Sequence, residues 1–305
     1  FSTWHVLLNN FAIEQAAYTG ADIGILQSVR EIPGFLAFTV VLVLLIINEQ
    51  MLAIFSLAVL SIGVALTGFF PSSIGLLSTT FLMSMGFHYF ETIRQSLILQ
   101  WIPKAETAPF MGKLLAISSL AALFVYSSTW LLIEQFSVSF QWIYLLAGSL
   151  GLLLVLFIAI FFPRFKNPIE QNKKLFLRKR YWLYYLLVFL SGARRQIFMV
   201  FAGFLMVQKF HYSVADISLL FLANHLINLY AAPKIGNFIA KIGERKALRI
   251  EYIGLILIFS GYALVEEANY AALLYIIDHL FFAMAIAVKT YFQKIADPAD
   301  IASTA

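Results

Sequence analysis

The chain has no cysteine, which excludes disulfides, thiolate-held metals and cysteine nucleophiles from the residues present. Charge is nearly as scarce: 12% of the 305 residues are Asp, Glu, Lys or Arg, whereas 61% are hydrophobic. Glycine and proline number 16 and 8, too few for a low-complexity or fibrous chain. No secretory signal opens the sequence, since only the short piece FSTWHVLL precedes polar residues. No His-rich cluster stands out either, so neither a metal nor another cofactor is expected. A soluble domain of this size could not hide so much apolar surface, so lipid is the solvent for much of the chain.

One long polar segment breaks the apolar pattern. Pro163 to Arg180 carries seven of the 21 Lys and Arg residues: Arg164, Lys166, Lys173, Lys174, Arg178, Lys179 and Arg180. Basic residues next to membrane spans stay cytoplasmic, so this stretch predicts a cytoplasmic linker (163–180) between an N-terminal helical bundle (1–162) and a C-terminal one (181–305). Apolar runs long enough to span lie near 21–46, 51–70, 73–100, 108–133, 138–162, 181–207, 215–232, 249–265 and 270–294, after an opening stub. With the linker inside, Lys104, Lys113, Lys234, Lys241, Arg245, Lys246 and Arg249 also fall inside. Glu14, Asp22, Glu134, Glu266 and Glu267 fall outside, with Lys209 as the one base there. The formal charge of +5 therefore comes from cytoplasmic loops and is no nucleic-acid footprint. The start at Phe1 and the stop at Ala305 without a terminating feature predict a chain truncated at both ends.

The two halves repeat. Tyr18-Thr19-Gly20-Ala21-Asp22-Ile23 returns 194 residues later as Tyr212-Ser213-Val214-Ala215-Asp216-Ile217, each reading as a capping box at a helix start. Ser61-Ile62-Gly63-Val64-Ala65-Leu66 is echoed by Phe259-Ser260-Gly261-Tyr262-Ala263-Leu264, and Arg94 with Pro103 by Lys289 with Pro298. Parallel repeats of about six spans suggest a secondary transporter.

The motif Trp101-Ile102-Pro103-Lys104-Ala105-Glu106, followed by Gly112 and Ser118, resembles the loop between the fourth and fifth spans of the major facilitator superfamily. Gly236-Asn237-Phe238-Ile239-Ala240-Lys241-Ile242-Gly243-Glu244-Arg245-Lys246 is similar to that superfamily's glycine and basic loop motif. Ala240 stands where the motif has Asp, Ile47-Asn48-Glu49-Gln50 lacks the motif in the first half, and span five lacks the Gly-Pro signature of proton-coupled antiporters, which points away from drug export. The resemblance covers the chain from the end of span one to just past span ten. It implies an all-α polytopic membrane protein of two pseudo-symmetric six-helix bundles, here nine complete spans and a stub, in which spans one, four, seven and ten line the cavity. In mechanical terms Gly236 permits close backbone approach, Gly243 a tight turn, and Arg245 and Lys246 bonds to helix ends, so these four residues read as a gating loop.

Charges inside spans are a functional signal, because each costs about 2.5–3.5 kcal/mol at a helix centre on insertion scales. Span two carries Arg30 and Glu31 before Pro33-Gly34, where a kink is expected; as sequence neighbours they point about 100° apart and are not expected to neutralise one another. Span four carries His88, Glu91 and Arg94 on one face, read either as a wet site or as a structural Glu91–Arg94 pair. Span seven carries Arg194 and Arg195, span eight Asn224, His225 and Asn228, and span ten Asp278, His279 and Lys289, with Asp278 and Lys289 three turns apart on one face. Five bases (Arg30, Arg94, Arg194, Arg195, Lys289) against three acids (Glu31, Glu91, Asp278) point either to an anionic solute, which arginine grips with paired hydrogen bonds, or to a balance supplied by loop carboxylates or by spans missing from the sequence. Arg30, Arg94, Arg194, Arg195, Asn224, His225, Asn228 and His279 are thus the candidate solute contacts, and Glu31, His88, Glu91 and Asp278 the candidate proton carriers.

The expected protein is a monomeric transporter of a small solute, coupled to protons by symport and held in the plasma membrane. The alternatives are an exporter of the same fold, or a membrane-embedded sensor or metal enzyme using His88-x-x-Glu91; with no further ligands in sight, an enzyme is not expected.

Overall fold

The computed structural model describes residues 1–165, 169–174, 177–197, 203–212 and 214–304, and for 195–197, 203–204, 207–208 and 214–218 the backbone alone. Among the described residues there are helices and turns but no strand. The helices are α1 Ser2–Ala16, α2 Gly20–Phe35, α3 Glu49–Thr67, α4 Ser73–Trp101, α5 Thr107–Glu134, α6 Phe140–Phe161, α7 Trp182–Ile197, α8 Gly203–Phe210, α9 Val214–Ile242, α10 Glu244–Leu264, α11 Ala268–Met284 and α12 Ile286–Ile295. A tighter turn at Leu36–Thr39 and the helical turn Val40–Val43 continue α2. Among the described residues helix occupies most of each expected span, α7 and α8 falling in the seventh and α11 with α12 in the tenth. Six helical stretches, 20–43, 49–67, 107–134, 140–161, 244–264 and 268–295, are long and apolar enough to cross a bilayer. Side chains such as Phe35, Ile46 and Leu264 are at least 80% exposed, which water would not tolerate on such a scale and hydrocarbon favours.

The chain packs as two units. The first comprises residues 1–100, 124–176 and 298–305, the second 101–123 and 177–297. In the first, α3 packs closely along α6, where Gly148 sits against the backbone of Ser61 and Ala65. Trp4, Phe11 and Tyr144 fill the core of this unit with Leu26, Leu76 and Met83. Residues of the central segment are tied down here: Gln171 Nε2 donates to Pro298 O (2.9 Å), and Asn172 donates from its backbone to Ala299 O and from its side chain to Asp300 Oδ1 (2.7 Å each). In the second unit α9 packs on α11 and α10, α10 on α11 and α12, and α7 on α12.

The repeat shows in the bonds within each unit. α1 ends with Ala17 in the left-handed region (φ 54°), and Tyr18 N–H reaches back to Ala12 O. At the end of α8, His211 has φ 56° and Tyr212 N–H bonds to Met206 O. Both ends are the helix stop in which a left-handed residue lets the next N–H cap a free carbonyl. Tyr18 OH then donates to Ser73 O at the start of α4 (3.2 Å), and Tyr212 OH to Ala268 O at the start of α11 (3.1 Å). Glu49, the first residue of α3, accepts from Ser96 and Gln100 near the end of α4 (2.8 and 2.7 Å), while Glu244, the first of α10, pairs with Lys294 near the end of α12 (2.8 Å). Each glutamate is 8% exposed. Tyr18→Phe and Tyr212→Phe should therefore each cost about 1 kcal/mol, read as similar losses of thermal stability; a silent Tyr212→Phe beside a damaging Tyr18→Phe would break the equivalence.

Three expectations change, and a fourth falls partly outside the described residues. The capping box at Thr19 and Asp22 forms in full, but its counterpart at Ser213 lies outside the described residues. The glycine motif is not a loop through Gly236: α9 runs through Pro233 to Ile242, and the turn is Gly243 alone, at φ +80°, the region glycine enters freely. Apolar surroundings favour keeping the backbone helical until a residue can reverse it. Arg30 and Glu31 do pair, at 2.7 Å, because the long arginine arm swings back across the angle between their Cβ directions. Finally, Asp278 and Lys289 do not lie on one continuous helix. Ala285, whose N–H turns to Phe282 O, separates α11 from α12, and such a three-residue bond rotates the following face.

Candidate functional site

Four helices of the second unit supply buried polar groups. α7 carries Arg194 (9% exposed), α9 Asn224 (3%) with His225 and Asn228, α10 Glu251 (2%), and α11 Asp278 (1%) with Tyr275 and His279. Arg194 Nη2 stands 3.6 Å from Glu251 Oε1, within ion-pair range but long for a hydrogen bond. Its guanidinium lies 5.0 Å from the centre of the Phe282 ring, a cation–π distance. His279 Nδ1 lies 3.2 Å from Tyr275 O, so a neutral ring bonded there holds its proton on Nδ1.

Hydrogen-bonding capacity is left over in this cluster. Both oxygens of Asp278, Oε2 of Glu251, Nη1 of Arg194, both polar atoms of the Asn224 amide, Oδ1 of Asn228 and the hydroxyl of Tyr262 are buried without a hydrogen-bond partner among the described residues. An unsatisfied buried group costs about 1–3 kcal/mol, so a concentration of them at mid-helix positions marks a site built for exchange rather than for rigidity.

The first unit holds the other candidates. Glu91 and Arg94 pair on α4 at 2.5 Å, each about a third exposed. Arg30 is less open than these and Glu31 more so, at 25% and 47% of their side chains, and Ser84 Oγ donates to Arg30 O. The His88 ring packs on Gly34, where a Cβ would come within 2.8 Å of it. The kink after Pro33 is realised as the tight turn Leu36–Thr39, and Thr39 hydrogen-bonds Tyr89 at 2.5 Å. Since Glu91 is engaged by Arg94, His88-x-x-Glu91 does not offer a ligand pair, and no group of three or more His, Asp or Glu among the described residues could hold a metal ion.

The structure thus brings Arg194, Asn224, His225, Asn228, Asp278 and His279 onto neighbouring helices of one unit. His88, Glu91 and Arg94 share α4, and Arg30 and Glu31 lie on α2. The side chain of Arg195 lies outside the described residues. Of the four motif residues, Gly236 lies in α9 against Ala108 O, Gly243 makes the turn, and Arg245 and Lys246 are exposed; the bond at that turn is made by Glu244 with Lys294. Sequence reading missed Glu251, and with it the charge count: five bases face four acids. The available signal was Gly243, which starts α10 early enough to place Glu251 two turns inside.

Comparison with known proteins agrees with this architecture. A crystal structure of the fucose:proton symporter of E. coli superposes with a TM-score of 0.61 over 96% of this chain and 86% of that one, at 15% sequence identity, a likeness of fold. A search of curated proteins finds no match. The sequence profile of the Major Facilitator Superfamily matches residues 3–305, nearly the whole length, and the chain is therefore a polytopic membrane protein belonging to that superfamily of transporters.

Proposed function

We propose that the chain is a secondary active transporter that moves a small solute by alternating access and couples it to protons in the same direction. The carrying observation is the buried cluster of Arg194, Asn224, Glu251 and Asp278 on four neighbouring helices. Ionisable groups at such positions in a membrane protein belong to substrate or proton paths. The fold likeness to a protein named as a proton symporter is consistent with that coupling. Asp278 is the leading proton carrier, because it is buried and lacks a hydrogen-bond partner among the described residues.

The charge of the solute turns on the arginines. Arg30, Arg94 and Arg194 each stand beside a carboxylate, so an anion has to compete with an acid at each of them. An anionic solute would then bind by displacing Glu91 from Arg94, whose side chains are each about a third exposed, and the freed carboxylate would take up a proton. That competition is itself symport. The protein acts as a monomer in the plasma membrane with 163–180 in the cytoplasm. Lys173→Cys and Asn269→Cys, both at exposed positions, should be labelled by impermeant reagents from opposite faces; labelling from one face would overturn the topology.

The test of function is uptake by the full-length protein in proteoliposomes, using a panel of sugars, organic acids and phosphorylated solutes with and without an inward proton gradient. Accumulation of one class, unaltered and only with the gradient, is the expected result. Chemical alteration of the solute, or no movement of any class, would sink the reading.

A further inference from the structure

We propose that the Gly243 end of α10 holds an anionic phospholipid, with its phosphate gripped by Arg245, Lys246 and Arg249 and its acyl chains laid along the outer face of the helix. Such a site stands apart from the movement of solute. All three bases are exposed. Arg249 lies four residues after Arg245 and three after Lys246, spacings that leave Cβ atoms about 5–6 Å apart on a helix, so the three cations form one patch. Among the described residues none of them has an ion pair or a side-chain hydrogen bond. Like charges at this spacing repel, and no acid among the described residues relieves them. Glu244 is 8% exposed and pairs with Lys294, while Glu251 is 2% exposed. Other bases near this end of the unit are engaged: Lys104 donates to Lys294 O at 3.4 Å, and Arg180 to Ile295 O at 2.9 Å.

What continues the patch along the helix identifies the ligand. With about 100° per residue, the three bases share an arc of roughly 140° with Ile250, Ile253, Ile256 and Leu257. Those four side chains are between 44% and 67% exposed, whereas the other face buries Ala247, Glu251, Leu255 and Ile258. Because α10 is long and apolar enough to cross a bilayer, the exposed apolar residues meet acyl chains, and bases at the helix end beside them stand at head-group depth. The apolar stripe from 250 to 257 rises about 10 Å, which fits within the roughly 15 Å of hydrocarbon in one leaflet. A molecule that matches both parts at once has a negative head group and a hydrocarbon tail. Arginine takes two phosphate oxygens with its planar fork, and lysine adds a point charge. A zwitterionic phospholipid would bring an ammonium into a patch that already lacks anions. A soluble anion would use the bases but gain nothing from the stripe.

Native mass spectrometry of the full-length protein, delipidated in detergent and titrated with phosphatidylglycerol, tests the site without any solute. The wild type should retain phosphatidylglycerol under conditions that strip phosphatidylcholine. A base at an anionic lipid surface is worth about fivefold in affinity, so replacing all three by Arg245→Gln, Lys246→Gln and Arg249→Gln should weaken retention on the order of 100-fold. Lys173→Gln with Lys174→Gln removes two exposed bases of the central segment and should leave retention unchanged. Should the triple variant fail to fold, Arg249→Gln alone decides, with an expected loss of about fivefold. Neither inorganic phosphate nor glycerophosphoglycerol, the same head group without acyl chains, should displace the lipid at matched concentration. Displacement by either would make the patch a plain anion site and overturn the lipid. Unchanged retention in the α10 variants, an equal loss in the linker variant, or equal retention of phosphatidylcholine would each overturn the site as well.

Discussion

Arg194→Met should abolish gradient-driven uptake and lower the melting temperature of the purified protein. Removing the guanidinium takes from Glu251 the cation 3.6 Å away, in a unit that buries a second acid, Asp278, and breaking a buried pair from one side costs about 3–5 kcal/mol. The protein should escape part of that cost by protonating both acids, so the destabilisation should be larger at alkaline than at acidic pH. The sign follows from the carboxyls: low pH supplies the protons that replace the missing positive charge. Adding Glu251→Gln to Arg194→Met should restore stability but not uptake. Arg194→Lys should remain folded and retain reduced transport, since an ammonium keeps the charge but loses the planar fork of arginine. Normal uptake by the Met variant would return Arg194 to a structural role.

The second large effect is expected where α5 crosses α9. A Cβ on Gly112 would lie 2.4 Å from Ala232 O, and one on Gly236 2.4 Å from Ala108 O. The two backbones touch, and a carbonyl oxygen cannot move aside as a side-chain tip can. Even Gly112→Ala should therefore force the helices apart. The loss should exceed the usual 1–3 kcal/mol, roughly, of an overpacked core, and Gly112→Val should be worse. Disulfide formation between cysteines placed at Ala108 and Ala232 reads the separation directly and should fall in both variants. Gly24→Ala is the control: nothing lies within 4 Å of its Cβ, and alanine in a helix gains about 0.5–1 kcal/mol over glycine. Unchanged crosslinking in Gly112→Val would mean that the contact does not hold the two helices together.

Much of the fold was legible because apolar length and basic loops are long-range signals that a single residue cannot erase. The spans, the capping box at Thr19 and Asp22, and the turn at Gly243 all follow from them. The site was legible as a set of residue types but not as a set of pairs. Arg30 and Glu31 show why: adjacency along a helix sets the Cβ directions, whereas an arginine arm chooses its partner over several ångströms. Glu251 shows the complementary failure. It stands two residues after Arg249, where hydropathy alone places the edge of a span, so its charge reads as a loop charge until the helix start is known. The break at Ala285 was hidden for another reason, because alanine favours helix and only the packing of α11 and α12 on α10 reveals it.

The repeated clamps bear on how the protein is made. The bonds of the first pair, Tyr18 with Ser73 and Glu49 with Ser96 and Gln100, lie within the first 100 residues, and those of the second lie between Tyr212 and Lys294. The first set can close in the membrane while the ribosome is still translating the later spans. A chain stalled once Gln100 has left the ribosome should already hold these helical ends together, and the second half repeats that order once its own spans emerge.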